Sequence, residues 1–529
     1  MADYDVAIIG GGHNGLVCAA YLAAARLSVI VLEARDIVGG AAVTEEFHPG
    51  FRNSVASYTV SLLNPKIIDD LRLAEHGLRV VNRPYSNLLP LADGGYLRTG
   101  ADLAGTQREF SRFSKADAER LPAYYEMLER GASVLRAMLL ETPPNVGGGW
   151  HDLVNALRTG NRLRKLSMTE RRDVLDLFTK SAGELLDHWF ESEPIKALFG
   201  FDSVVGTYAS PYSPGSAYVL LHHVFGEANG QQGQWGHAIG GMGAITQAML
   251  REAQARGVTV RTEAAVEQVR ISNRKANGVV LADGEVVNAR VIASNLNPKL
   301  LFTRLVDAAE LDADFLTRVD RYRCGSGSLR INVALSELPR LACAPDGDPA
   351  FGTRSGIVIA PSLNYMERAY FDARQHGWSR EPIIEMLIPS TVDDSLAPPG
   401  QHVASLFCQQ FAPELKGGSW DESRDAAANL IFDTVDRHVP NFKRSMLGKM
   451  VLTPLDLERK FGLVGGDIFH GALSLDQLFS ARPVLGHGDY RSPIAGLYMC
   501  GSGTHPGGGV TGAPGHNAAA EIIRDLKAR

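Results

Sequence analysis

The stretch that most constrains this chain is its opening, DYDVAIIGGGHNGLVCAAYLAAARLSVIVLEARDIVGGAA. Val6, Ala7, Ile8 and Ile9 form a short apolar run of strand type. Gly10-x-Gly12-x-x-Gly15 follows at once, then helix-forming residues over 16–26, then a second apolar run over 29–32 that ends on Glu33. Strand, glycine loop, helix and strand in this order predict a βαβ unit with a dinucleotide at its first turn. Gly10 permits the tight turn, Gly12 lets backbone N–H groups approach a pyrophosphate, and Gly15 lets the helix pack close to the strand. The helix N-terminus adds roughly half a positive charge at the phosphates. Glu33, 18 residues beyond Gly15, is placed to accept hydrogen bonds from the ribose hydroxyls and to repel a 2′-phosphate. A glycine triplet alone would be a weak signal in a chain with 55 glycines. The strand before it, the helix after it and the acid on schedule make it specific.

Beyond Glu33, Arg35 and the doublet Gly39-Gly40 read E-x-R-x-x-x-G-G. An arginine two residues past the ribose acid can balance pyrophosphate charge, and the glycine pair lets the chain pass beside the dinucleotide. This run resembles the second signature of FAD enzymes in the glutathione-reductase-like superfamily, in the branch that holds amine oxidases and phytoene desaturases. The resemblance implies FAD, with NAD as the alternative.

At 529 residues the chain exceeds one ordinary core, so two or three domains are expected. A formal net charge of −6 argues against nucleic acid as a partner, which would need a basic face. Five scattered cysteines form no C-x-x-C pair, so neither a redox disulfide nor a zinc site is indicated, and no metal is expected. Cys18, inside the first helix, reads as a packed core thiol. No apolar run approaches the ~20 residues that span a bilayer. The chain opens almost directly on a strand, leaving no room for a targeting segment, so the cytoplasm is the expected compartment, with a peripheral membrane contact left open.

Along the chain, residues 51–63 are apolar with small residues, and Tyr58 is a candidate pocket residue as well as a candidate core residue. A helix is expected over 66–71. Residues 78–97 read as two strands around Asp93-Gly94-Gly95, the first being LRVV. Residues 106–200 carry apolar positions at helical spacing, interrupted by the loop at 143–149, with Ser167 and Glu170 forming a capping box. Residues 204–224 are a candidate apolar wall; the adjacent His222 and His223 point about 100° apart on a helix and cannot share one ligand. His237 precedes a second glycine loop and is a candidate pocket residue. That loop, Gly240-Gly241-x-Gly243, opens a helix over 244–256, followed by strands over 258–260 and around 265–266, and by a hairpin around Asp283-Gly284. From 300 to 485 the strands SLRINVALSEL, SGIVIAP, PIIEMLIPS and HVASLFCQQF and the helix SRDAAANLIFDTVDRHVPNF suggest a mixed sheet roofing a cavity, with no titratable cluster in view.

The ending, GLYMCGSGTHPGGGVTGAPGHNAAAEIIRDL, is a strand over 497–500, a turn at Gly501-x-Gly503, a glycine-rich loop and a helix over 515–526. It resembles the C-terminal signature of phytoene desaturases. There the loop crosses the isoalloxazine and the helix N-terminus points at its N1 side, where positive dipole character stabilises the reduced ring. On that resemblance Val266 meets the adenine through its backbone, Val510 and Thr511 offer backbone donors, and His505 lies within reach of the flavin, as a catalytic or as a structural group.

The resemblance covers the whole chain. The GGGHNGL opening and the GTHPGGGVTGAPGHNAA ending are most similar to the group called pyridine nucleotide-disulphide oxidoreductase domain-containing protein 2, although no second fingerprint and no cysteine pair supports that label. It implies an α/β fold: a Rossmann-type FAD-binding domain of the second glutathione-reductase type from 1–77, 236–300 and 490–529. A discontinuous α+β substrate domain would be built from 78–235, including the helical insertion, and 301–489.

The activity implied is FAD-dependent hydride abstraction from a hydrophobic, isoprenoid- or lipid-like small molecule, with oxygen or a quinone as acceptor. An amine oxidase, a redox-neutral isomerase and a non-catalytic FAD-containing binding protein are the alternatives. Rab GDP-dissociation inhibitors resemble the fold but lose the phosphate fingerprint that this chain keeps. Substrate and oligomeric state stay open.

Overall fold

Among the described residues, two seven-stranded sheets organise the chain; the computed structural model describes residues 2–100, 102–145, 148–224 and 226–528. The first sheet runs Thr259–Arg261, Val29–Leu32, Tyr4–Ile9, Val286–Ser294, Lys275–Leu281, Val266–Ser272, with Leu497–Met499 joined to Val286–Ser294. The strands from Thr259–Arg261 to Val286–Ser294, and Leu497–Met499 beside them, are parallel. Lys275–Leu281 and Val266–Ser272 form an antiparallel extension.

The continuous apolar runs 6–9, within Tyr4–Ile9, and Val29–Leu32 follow from burial on both faces. One face packs against the helices His13–Ala24, Gly243–Ala255 and Ala513–Lys527. Small residues let these helices approach closely: a Cβ on Gly15 would stand 2.3 Å from the Gly10 carbonyl oxygen, and one on Gly515 would stand 2.2 Å from that of Asn14. The first and last helices of the chain are therefore pressed together at the dinucleotide turn. The first begins at His13, three residues before the expected start. Cys18 is fully buried between them.

The second sheet runs Met446–Leu452, Ser328–Leu335, His402–Phe411, Trp378–Leu387, Gly356–Ile359, Asn87–Pro90, Tyr96–Arg98. All pairs are antiparallel except Gly356–Ile359 with Asn87–Pro90. Side chains alternate faces along a strand. Leu329, Ile331, Ile384, Met386, Leu406 and Cys408 pack with the helix Trp420–His438. Their alternates Arg330, Asn332, Glu385, Ser405 and Phe407 therefore turn to the other face, and all five are buried.

The segment LRVV does not form the hairpin expected of it. Pro84 ends that run, and Val80–Asn82 pairs instead with Gly236–Ala238. The hairpin around Asp93–Gly95 is Asn87–Pro90 with Tyr96–Arg98. Between them, helices from Leu103–Phe110 to Ser216–Val224 build the insertion around a core that includes Phe110, Leu121, Tyr124 and Phe201. Ser167 caps Met168–Thr179, accepting from Glu170 N at 3.2 Å while the Glu170 carboxylate accepts from Ser167 N at 2.7 Å. Residues 146 and 147 of the expected loop lie outside the described residues. No described helix is long and apolar enough to cross a membrane.

Candidate active site

The fingerprint loop and the glycine doublet lie against each other. Gly39 N donates to Gly11 O at 2.8 Å, and a Cβ on Gly40 would stand 3.3 Å from Gly12 Cα. Gly10, at φ +93°, makes the turn only glycine makes without strain. No side chain caps His13–Ala24 at Gly12 and no acid stands in its first turn, so its first N–H groups are left to a ligand. Glu33 is buried; its carboxylate accepts from Gly11 N at 2.8 Å and from Arg35 N at 3.0 Å. Arg35 pairs with Glu45 and lies 5.1 Å over the Phe461 ring. Its Nη1 is buried without a hydrogen-bond partner. Ala264 N donates to Glu33 O and Glu263 N to Arg35 O, which brings Ala265 and Val266 to the wall of the same cleft.

This cleft has a volume of about 420 Å³ and is lined by Gly10, Gly12, Glu33, Arg35, Gly39, Gly40, Val266, Asn295, Ser502 and Val510, among others. Bare glycine backbone, uncapped helix donors, a buried carboxylate and an unpartnered guanidinium N–H are the chemistry an ADP moiety needs. These residues fit the cofactor.

Other expected residues act from further off or elsewhere. Gly501 and Gly503 do not line the cleft: a Cβ on them would stand 2.5 Å from Asn295 O and 2.3 Å from Pro298 Cδ, so they let the terminal turn press on the segment that carries Asn295. The Thr511 N–H is spent on Gly509 O at 2.7 Å, and only Val510 of the expected donor pair lines the cleft. His505 is not at the cleft. Its Nε2 lies 3.0 Å from Met138 O, its ring stacks on Phe479 at 5.4 Å, and burial lowers its pKa to about 4. It lines a separate apolar cavity, because the loop turns this side chain toward the helical insertion. His237 does not line the cleft either. It meets Asp393 at 3.0 Å, and the same carboxylate oxygen accepts from Gly240 N at 2.6 Å, so the pair clamps the second glycine loop.

Tyr58 does line the cleft, at an end walled by Leu62, Val205, His223, Trp235, Ile468 and Phe469. His223 faces this cleft and His222 does not. Burial lowers the pKa of His13 and His223 to about 4 and of His470 to about 3, so the histidines of the wall are neutral at physiological pH.

Behind Tyr58 stands a titratable cluster the sequence reading missed. The phenol donates to Glu385 Oε2, and the Arg330 guanidinium lies 4.4 Å from the Tyr58 ring centroid. Arg83 stands 3.6 Å from the other Glu385 oxygen and donates to Thr59 Oγ1 at 2.7 Å. Arg330 donates to Ser405 Oγ at 2.8 Å and leaves Nε and Nη1 without hydrogen-bond partners. Burial lowers the pKa of both arginines. Asp202 is pushed up to about 8 by burial and then by the Glu385 charge, which leaves it neutral near pH 7. The cluster therefore carries two guanidinium charges against one carboxylate. A signal for it existed: Glu385 stands alone in the apolar run PIIEMLI, and Arg330 stands between Leu329 and Ile331 in SLRINVAL.

The sequence profile described as flavin containing amine oxidoreductase matches residues 15–328, more than half of the chain. The chain belongs to the flavin-containing amine oxidoreductase family. It is 43% identical to pyridine nucleotide-disulfide oxidoreductase domain-containing protein 2 of Rattus norvegicus, over 99% of this chain and 94% of that one. It is 24% identical to the lycopene-forming phytoene desaturase of Pseudescherichia vulneris, over 98% of this chain and 99% of that one. Among solved structures, a cofactor-site triple mutant of putrescine oxidase superposes with a TM-score of 0.61 at 17% identity, covering 99% of each chain. The fold is thus the α/β one expected, and this family member is an FAD-dependent oxidoreductase whose fingerprint and cleft are those described above.

Proposed function

We propose that this enzyme dehydrogenates a neutral, apolar small molecule of isoprenoid or lipid-like character. The observation that carries the reading is the inner end of the cleft, where apolar and aromatic side chains surround one polar dyad, Tyr58–Glu385, backed by surplus positive charge. Each CH₂ of a substrate buried there contributes roughly 0.8 kcal/mol, so a long chain needs no charged anchor. FAD, when bound, supplies the hydride acceptor.

The chain's own residues supply orientation and a proton path. As a hydride leaves one substrate carbon, the proton on the neighbouring carbon passes to Tyr58 Oη. The phenol's own proton passes to the Glu385 carboxylate, to which it is already hydrogen-bonded. Arg330, over the Tyr58 ring, stabilises negative charge that develops on that oxygen. The result is a substrate double bond and a protonated Glu385. The chain has a single dinucleotide fingerprint, so oxygen or a quinone is the acceptor that returns the enzyme to its oxidised form.

The same charges speak against an amine. A substrate ammonium brought to Tyr58 would meet two buried guanidiniums and one carboxylate, because Asp202 is neutral. The test is to incubate FAD-loaded enzyme with a non-polar extract of its host and with a panel of primary amines, and to follow products by mass spectrometry. Loss of a hydrogen pair from an apolar compound supports the reading; turnover confined to amines overturns it.

A further inference from the structure

The helix Trp150–Lys165 turns its apolar stripe outward. Trp150, Leu153 and Leu157 are 75%, 49% and 64% exposed, and at ~100° per residue they fall within about 60° of arc on one face. On the next helix, Met168 and Leu175 are 59% and 60% exposed. An ordinary surface helix buries such a stripe against the core.

The exposed charge around the stripe is mostly positive, because the acids of these helices, Asp152, Glu170, Asp173 and Asp176, are only partly exposed. Arg158, Arg164, Lys165, Arg171 and Arg172 are all exposed, and none makes an ion pair among the described residues. Asp173, Glu141 and Asp176 are already paired with Arg130, Arg162 and Lys180, and the Asp152 and Glu170 carboxylates accept from the Asn145 and Ser167 backbone N–H groups. This cationic surface sits on a chain whose formal net charge is −6. Contiguous exposed apolar side chains including a Trp, ringed by unpaired arginines, match an anionic lipid interface, where rings and leucines enter the acyl boundary and the cations meet headgroups. A polyanion such as nucleic acid would use the arginines and leave the apolar stripe in water.

Beneath the two helices lies an apolar cavity of about 660 Å³, walled by Val134, Leu135, Met138, Leu163, Val174 and Phe178, with Arg164 and Arg171 also on its lining. Its inner end is formed by Phe479 and His505. His505 belongs to the terminal glycine loop, whose Val510 lines the FAD cleft.

We infer that the Trp150–Lys165 and Met168–Thr179 helices dock on an anionic lipid surface and that the cavity beneath them takes up a hydrocarbon chain from it. The second half rests on the apolar-substrate reading; the first does not.

The test uses the full-length, FAD-loaded protein and vesicles of phosphatidylcholine with or without phosphatidylglycerol. Co-sedimentation is expected with the phosphatidylglycerol vesicles, weakened by added salt. Replacing Trp150, Leu153 and Leu157 together by serine is expected to cut binding at least tenfold while the bound-flavin spectrum, which reports the fold, stays unchanged. Replacing Arg158, Arg164 and Arg171 by glutamine is expected to abolish the preference for phosphatidylglycerol. Lipids brominated on their chains are expected to quench tryptophan fluorescence in the native protein and not in Trp150→Phe. Absence of binding, or binding equal in native and serine variants, overturns the inference. So does a concentration-dependent dimer that the serine variant dissolves, since the stripe would then belong to a second copy of the chain. Vesicle binding without flavin reduction by any apolar compound would sustain the docking face and sink the substrate reading.

Discussion

Tyr58, on the wall of the cofactor cleft, donates a 2.5 Å hydrogen bond to Glu385, in the middle of the second sheet. The bond ties the nucleotide cleft to the sheet that roofs it, and it sets the carboxylate beside Arg83, with Arg330 over the Tyr58 ring. Glu385→Gln leaves Arg83 and Arg330 without their anion, and removing one partner of such a buried set costs about 3–5 kcal/mol. Tyr58→Phe removes one hydrogen bond to a charged group, about 1.5–3 kcal/mol. Denaturant unfolding should rank the two in that order. A Glu385→Gln protein no less stable than Tyr58→Phe would show that the charge is balanced elsewhere.

Asp202 gives the fold a pH dependence of definite sign. Its carboxyl is held near 8 in the folded chain, against 3.8 ordinarily, by burial first and the Glu385 charge second. The folded state keeps a proton that the unfolded state has lost, so this stability is full below about pH 4 and falls as pH rises toward 8, by at most ~1.4 kcal/mol per unit. Asp202→Asn stays neutral throughout. Its stability relative to the native protein should therefore rise from pH 5 to pH 8; a constant difference would place the titration elsewhere.

Glu33 holds the loop through Gly11 N and Arg35 N and faces the cleft. Glu33→Arg should lower FAD retention, with the loss of charge-assisted hydrogen bonds worth about 1.5–3 kcal/mol. The flavin-to-protein ratio after gel filtration measures it. A variant as yellow as the native protein would undo the ribose assignment.

Two alanine substitutions in the fingerprint should differ in kind. At Gly15 the new Cβ meets backbone, the Gly10 carbonyl, at 2.3 Å. At Gly12 it meets the movable amide of Asn295 at 2.5 Å. Gly15→Ala should therefore lower the thermal midpoint of the FAD-free protein as well as cofactor binding. Gly12→Ala should weaken binding while leaving that midpoint within a degree or two, on the scale of roughly 0.5 kcal/mol for tolerated changes. Equal midpoints for the two variants would contradict the packing role of Gly15.

The cofactor half of the site was legible because its parts are local. Gly10, Gly12, Gly15, Glu33 and Arg35 lie within one βαβ unit, and strand alternation and glycine spacing report on neighbours in the chain. The polar cluster beside it was not, because Tyr58, Arg83, Arg330 and Glu385 come from four separated segments and meet only when the second sheet closes over the cleft. His505 shows the limit within a single loop. Its place beside the glycine run was correct, but which side of the loop its ring would take depended on Met138, a residue of the helical insertion. Thr511 fails for the same reason: its N–H is satisfied by Gly509 in a turn no spacing rule describes.

The most direct test of the account is reduction of the bound flavin without oxygen. Native protein loaded with FAD is mixed anaerobically with a non-polar extract of its host, and the oxidised flavin band is followed in time. The band should bleach, and bleach more slowly in Tyr58→Phe and Glu385→Gln with the same extract. A flavin that stays oxidised with every apolar fraction and bleaches with a primary amine would contradict it.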